Sequence, residues 1–165
     1  MLSKQLQEAI NAQIKVELDS AYTYLSISAY LESVNLPGIA RWMRIQHDEE
    51  VAHGLKLFDY LNERGGRVVL QAIDRPKAEY KSVLDVFQAV LEHETKVSGL
   101  IDKLYELAVA EKEYATQVEM QWFVKEQVEE ERMVRVIVEQ LKMIGEHGVS
   151  LMMLDRQLGA RTSAE

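Results

Sequence analysis

The sequence predicts an all-α fold: a four-helix bundle with one long crossover and a short C-terminal fifth helix. Three observations lead there. The 165 residues contain only two prolines and eight glycines, so chain breaks are few and long helices follow. Apolar residues recur at spacings of three and four through four long stretches, the period of an amphipathic helix. The breaks cluster at Asn35-Leu36-Pro37-Gly38, at Gly65-Gly66, and at Gly145 and Gly148. Length alone sets the expectation of a single domain over 1–165. An apolar content of 47% is enough for one sizeable core.

The first helix is predicted over about 4–33, with a stripe running from Leu6 and Ile10 to Tyr24 and Leu31. Pro37 suits the first turn of a second helix over 38–64, which Gly65-Gly66 stops. The helical pattern fails over 65–81, where Val68-Val69-Leu70 reads as extended and Asp74-Arg75-Pro76 as a turn. A third helix is predicted over 82–110 and a fourth over about 114–144. Between them, Glu111-Lys112-Glu113-Tyr114 contains neither Gly nor Pro. One unbroken helix from 82 to 144 would nevertheless be about 90 Å long, too long for a small compact domain. The apolar stripe also slips phase there, so a turn is placed near 112. A fifth helix is predicted over about 147–159. The short first link makes the first two helices antiparallel neighbours. The second link can reach about 50 Å, enough to run the length of the bundle. The four long helices should therefore run up, down, down and up.

Charge and composition exclude several function classes. There are 19 Lys plus Arg against 27 Asp plus Glu, a net charge of -8. This balance disfavours nucleic acid and anionic membranes, and it suits cations. Cysteine is absent, which removes disulfides, thiolate metal sites, iron–sulfur clusters and cysteine nucleophiles. No apolar run reaches eighteen residues, so no membrane span is expected. The opening MLSKQLQEAINAQ lacks the apolar region of a signal peptide, and a cytoplasmic location is the expectation.

Each of the four stripes is interrupted by polar residues near its midpoint. The interruptions are Glu17 in the first helix, Glu50 and His53 in the second, Glu94 in the third, and Gln127 and Glu130 in the fourth. An inward carboxylate costs several kcal/mol unless it is paired or metal-bound. Taken singly, each glutamate would be an ordinary solvated side chain. All lie within about one turn of a helix midpoint, and packed helices of similar length bring their midpoints to one level. The interruptions should therefore meet in one layer of four carboxylates, one imidazole and one amide. Two divalent cations would neutralise four carboxylates, with Glu50 and Glu130 each able to bridge them. Glu50-x-x-His53 places two ligands one turn apart on one face. Such a donor set suits iron, manganese or zinc.

Several motifs extend this pattern. They are Glu17 with Tyr24 one heptad on, His47-Asp48-Glu49-Glu50-Val51-Ala52-His53, Glu63-Arg64-Gly65-Gly66-Arg67-Val68, Glu92-His93-Glu94, and the unbroken block from Gln121 to Glu131. On these, the chain resembles the non-haem ferritins of bacteria and archaea over nearly its whole length. The resemblance implies one iron held by Glu17, Glu50 and His53, and a second by Glu50, Glu94 and Glu130 with Gln127 close by. It implies a third iron site at Glu49, Glu126 and Glu129, sharing Glu130. It also places Tyr24 beside the di-iron pair, as a donor of an electron or a hydrogen bond. The competing readings are a solvated charge run for Glu129-Glu130-Glu131, and a satisfied core hydroxyl for Tyr24. Trp122 reads as packing, and His47, His93 and His147 as surface or interface residues.

Departures from neighbouring families narrow the resemblance. Bacterioferritin repeats Glu-x-x-His on the fourth helix, where this chain has Gln127-x-x-Glu130. The haem-ligating Met of bacterioferritin aligns with Ala52, so no haem is expected. Rubrerythrin has a Cys-rich iron domain, which is missing here. DNA-protecting mini-ferritins place their site between subunits and lack a fifth helix. The predicted fifth helix carries Val149, Leu151, Met152, Met153, Leu154 and Leu158, many for a short exposed segment, and burial between subunits is expected. The resemblance implies oxidation of Fe(II) by O2, storage of Fe(III) as a mineral, and a homo-oligomeric hollow shell of 24 subunits. The rival readings are a soluble di-iron oxidase or peroxidase and a non-catalytic metal-buffering bundle.

Overall fold

The computed structural model describes residues 2–145 and 147–162. It contains five helices: α1 (Lys4–Ser33), α2 (Pro37–Glu63), α3 (Val83–Ala110), α4 (Tyr114–Ile144) and α5 (Gly148–Gly159). Local chemistry sets their ends. The Ser3 hydroxyl accepts from the Leu6 N–H and Ser82 from that of Asp85, each satisfying a free donor of a first turn. Pro37 occupies the first turn of α2, where its missing N–H costs nothing.

The turn between α3 and α4 is made without glycine. Lys112 takes a positive φ of 56°, and the Glu113 N–H bonds back to the Ala108 carbonyl at 2.9 Å. Glu113 then caps α4 by accepting from the Thr116 N–H, and it pairs with Arg64 of α2 at 2.7 Å. That pairing, with the Thr116 hydroxyl, holds the Glu113 carboxyl down at about 2. Asn35 likewise turns α1 into α2 with φ 60°, a conformation asparagine adopts more readily than most residues.

Between α2 and α3 the chain forms neither helix nor strand over 66–82. It is pinned instead along α1. Asn11 donates to the Arg67 carbonyl and accepts from the Val69 N–H, and Asp19 accepts from the Asp74 N–H. Further along, Ser26 donates to the Lys77 carbonyl and Tyr30 to that of Tyr80. The contacts advance in step along both segments, so the crossover runs the length of α1 and starts α3 at the end where α2 began. This is the up-down-down-up order. The extended look of Val68-Val69-Leu70 thus arises from pairing with a side chain rather than with a sheet.

Two apolar clusters fill the bundle. One contains Tyr24, Leu31, Ile39, Trp42, Phe87, Val134 and Leu141 among others, and the second contains Leu6, Ile10, Leu57, Leu61, Ile101, Met120 and Phe123 among others. The six residues that interrupt the stripes, Glu17, Glu50, His53, Glu94, Gln127 and Glu130, lie between them in sequence on the four long helices. Among the described residues, no helix is long and apolar enough to cross a membrane.

The fifth helix divides its apolar residues. Leu154 and Leu158 are buried in the chain's own core, and Leu151 packs beside them. Val149, Met152 and Met153 remain 75%, 59% and 68% exposed. The expectation that all six serve contacts between subunits is thus corrected for Leu154 and Leu158. The reason lies in how α5 docks on α2. The Asp155 carboxylate accepts from the Ile39 N–H at 2.8 Å, filling a free donor at the start of α2. A Cβ on Gly38 would lie 1.9 Å from the Asp155 carbonyl oxygen, and one on Gly159 would lie 2.7 Å from the Gly38 Cα. Only glycines let the two backbones approach this closely.

Candidate metal centre

The layer between the two apolar clusters is built by all four long helices. It holds Glu17 from α1, Glu50 and His53 from α2, Glu94 from α3, and Gln127 and Glu130 from α4, all buried. Ligand atoms of Glu17, Glu50 and His53 lie within 4.8 Å of one another. Within that set, His53 Nδ1 is 3.5 Å from Glu50 Oε2. Glu94 and Glu130 do not join this close set. Glu94 accepts from the Tyr24 hydroxyl at 2.5 Å and from the Gln127 amide at 3.1 Å. Glu130 accepts from the Gln46 amide at 2.8 Å, and Glu17 from the Gln13 amide at 2.8 Å.

Burial dominates the electrostatics. It raises the Glu17 carboxyl to about 7, with the Glu94 charge adding to the effect. It raises Glu130 to about 8, again helped by Glu94. Glu50 is pushed well up by burial and by the charges of Glu94 and Glu17. His53 moves the other way, to about 4, because burial disfavours its cation. The Tyr24 phenol is pushed up by burial and by the carboxylates facing it. At neutral pH the layer is therefore a partly protonated carboxyl set beside a neutral imidazole with a free lone pair. Hard oxygens and one imidazole nitrogen fit iron, manganese or zinc, and a cation would take the place of the protons.

The remaining predicted residues lie apart from this layer. Glu49, Glu126 and Glu129 line a groove of about 900 Å³, which Glu130 also reaches. Glu126 is raised by partial burial and by its neighbours Glu129 and Glu49. Trp122 stands edge-on to the His53 ring, with centroids 5.3 Å apart, and Lys56 lies over its face at 5.0 Å. Two of the other histidines have structural partners. His93 Nε2 is 2.7 Å from the Ser20 hydroxyl and His47 Nδ1 is 2.8 Å from the Ala21 carbonyl, tying α3 and α2 to α1.

Three residues at the site carried no role in the sequence reading. Gln13 and Gln46 stand on the inward stripes one turn from a glutamate, so their position was a usable signal. Arg161 pairs with Glu49 at 2.8 Å and also donates to the Gln46 amide oxygen. Nothing in its sequence surroundings marks it, since it follows α5 in an ordinary polar stretch.

A bundle whose four helices converge carboxylates and an imidazole on one buried layer has the donor set of the carboxylate metal sites found in ferritin-like bundles. Residues 7–144 match the family model described as the ferritin-like domain. The chain belongs to the ferritin family. It is 43% identical over 161 residues to a bacterial non-heme ferritin of Bacteroides fragilis (strain 638R), covering 98% of this chain and 100% of the relative. A bacterial non-heme ferritin of Staphylococcus aureus (strain USA300) is 37% identical over 165 residues, covering 100% and 99%. Among solved structures, the open pore ferritin from the hyperthermophilic archaeon Archaeoglobus fulgidus superposes with a TM-score of 0.97 at 46% identity, covering 98% of this chain and 99% of that one.

Proposed function

We propose that this protein oxidises Fe(II) with O2 at the buried layer and stores the product as a ferric mineral. The observation that carries this reading is the convergence of Glu17, Glu50 and His53 within 4.8 Å in a chain of the ferritin family. Iron is here the substrate. Glu17, Glu50 and His53 hold one Fe(II). Glu50, Glu94 and Glu130 hold the second, with Gln127 steadying Glu94. Each Fe(II) gives up one electron, and O2 takes both together with two protons and leaves at the level of hydrogen peroxide. Carboxylates favour the harder Fe(III) product. Tyr24 fixes Glu94 through its hydroxyl and stands ready as a further electron donor. Glu49, Glu126 and Glu129 form a third site on the way out of the layer. The shell is a homo-oligomer of 24 subunits working in the cytoplasm, and its net charge of -8 per chain favours cation entry.

One experiment tests site and storage together. Wild type, Glu50→Ala and Glu130→Ala are loaded aerobically with excess Fe(II) and run on a sizing column, with protein and iron absorbance recorded. Wild type is expected to carry many irons per subunit in a shell-sized particle. Each variant is expected to oxidise Fe(II) about 10- to 100-fold more slowly. Unchanged fast oxidation in either variant overturns the site. Elution of wild type as a monomer or dimer holding about two irons per subunit overturns storage and favours a di-iron enzyme.

A further inference from the structure

Arg161, just after α5, reaches back onto α2. Its Nη2 donates to both oxygens of Glu49, at 3.0 and 2.8 Å, and its Nη1 donates to the Gln46 amide oxygen. The guanidinium carbon sits 5.1 Å from the centre of the Trp42 ring. Both charged side chains are mostly shielded, 20% exposed for Arg161 and 23% for Glu49. The backbone that presents Arg161 is held by the Asp155 contact with Ile39 and by the Gly38–Gly159 approach. The guanidinium is thus fixed at five points: two carboxylate oxygens, an amide, an aromatic face and a docked helix.

The groove it closes on is acidic. Glu49, Glu126, Glu129 and Glu130 all line it, together with Arg132 and Arg161, and Glu126 is already crowded by its acidic neighbours. Arg161 is seated directly on one of these carboxylates, Glu49. Arg161 sits on the wall nearest the buried layer, because Gln46 links it to Glu130. A cation leaving the layer toward Glu49 meets a carboxylate that is already taken.

We propose that Arg161 is a tethered counter-cation of Glu49, so that a divalent cation binds at the Glu49–Glu126–Glu129 groove only by displacing the guanidinium. The inference rests on the reading that this groove takes cations from the buried layer. Four carboxylates opposed by Arg132 alone would hold a multivalent ion more tightly and slow its passage. A built-in competitor lowers that affinity and makes the groove a place of transit. Arg161 is therefore a positioning residue that sets cation affinity and takes no part in the oxidation.

The test is calorimetric titration of the metal-free, full-length assembled protein with Zn(II), which is redox-inert. Wild type, Arg161→Gln and Arg161→Lys are compared, each alone and combined with Glu49→Gln. Removing the charge-assisted contact of Nη2 with the two Glu49 oxygens is expected to tighten groove binding about tenfold in Arg161→Gln. Affinity at the buried layer is expected to change less than at the groove, because Arg161 meets Glu130 only through Gln46. Arg161→Lys should return part of the way to wild type, since it keeps the charge and loses the planar group that spans Glu49 and Gln46. In the Glu49→Gln background, Arg161→Gln should shift groove affinity by less than about twofold, because the competed group is gone. Groove affinity unchanged or weakened in Arg161→Gln, with the buried layer still binding, overturns the proposal and leaves the metal centre standing. A wild type that binds no Zn(II) at the buried layer overturns the metal centre itself, and this inference with it.

Discussion

Glu17, Glu50 and Glu130 hold protons at pH values where an exposed glutamate has long lost them, and this links stability to pH. Each would titrate near 4.5 in the unfolded chain, against about 7 for Glu17 and about 8 for Glu130 when folded. Between those values the folded chain binds more protons than the unfolded one, so stability falls as pH rises. His53 has the opposite sign. Its value drops from 6.5 to about 4 on folding, so its contribution is lost as pH falls through that interval. The two effects oppose each other below about 6.5, and above it only the carboxyls remain. The melting temperature of chelator-treated protein is therefore expected to fall from pH 6.5 to pH 8. Saturating Zn(II) should remove that fall by replacing the protons. A melting temperature that stays level or rises in the metal-free protein across this window would contradict the linkage. Most of the residues behind it were readable in sequence, because a glutamate on an inward stripe is already an anomaly. Gln13 and Gln46 were not singled out, since an inward amide is a milder anomaly than an inward charge.

At the scale of the element, α2 does two jobs. Its middle turn places Glu50 and His53 one above the other, and its first turn receives α5 through Gly38 and Ile39. A methyl group at Gly38 has no room, because the obstructing atom is the Asp155 backbone oxygen. Gly38→Ala is expected to undock α5 and cost about 1–3 kcal/mol. Hydrogen exchange should then quicken across α5, while the middles of α1 to α4 stay protected. Unchanged exchange in α5 would show that the close approach is not what holds it. This docking also explains why Arg161 was illegible in the sequence. Its partner lies 112 positions away, and only the angle of α5 on α2 brings them together. The same limit applied to the outer face of α5. A run of apolar residues marks a buried surface, but it does not separate burial in the chain's own core from burial against another chain. The turn at Lys112, by contrast, was legible without glycine, because helix length and stripe phase both demanded a break.

At the scale of the whole molecule, the bundle leaves apolar side chains uncovered at α5 and along the crossover. Val149, Met152 and Met153 are exposed on the former, and Val69, Leu70 and Ile73 on the latter. Removal of residues 146–165, of which 146 and 163–165 lie outside the described residues, is expected to loosen or change the oligomer by light scattering. An unchanged particle size after that deletion would refute a major role for α5 in assembly. The up-down-down-up order was legible because the link after Gly65 is long enough to span the bundle. Its attachment to α1 through Asn11, Asp19, Ser26 and Tyr30 was not, since isolated polar side chains carry no signature of a distant backbone partner.

The separation of the core into two apolar clusters has a mechanical consequence. Oil-like packing gives each half of the bundle its own cohesion, but the acid layer between them supplies little of its own while it holds protons instead of a cation. The halves are joined there by four helix backbones and a few hydrogen bonds such as those of Tyr24 and Gln127 with Glu94. A cation bound across Glu17, Glu50 and His53 would fasten α1 to α2 at that seam. On the proposed function, the substrate would thus also be, for as long as it stayed, a rivet in the frame.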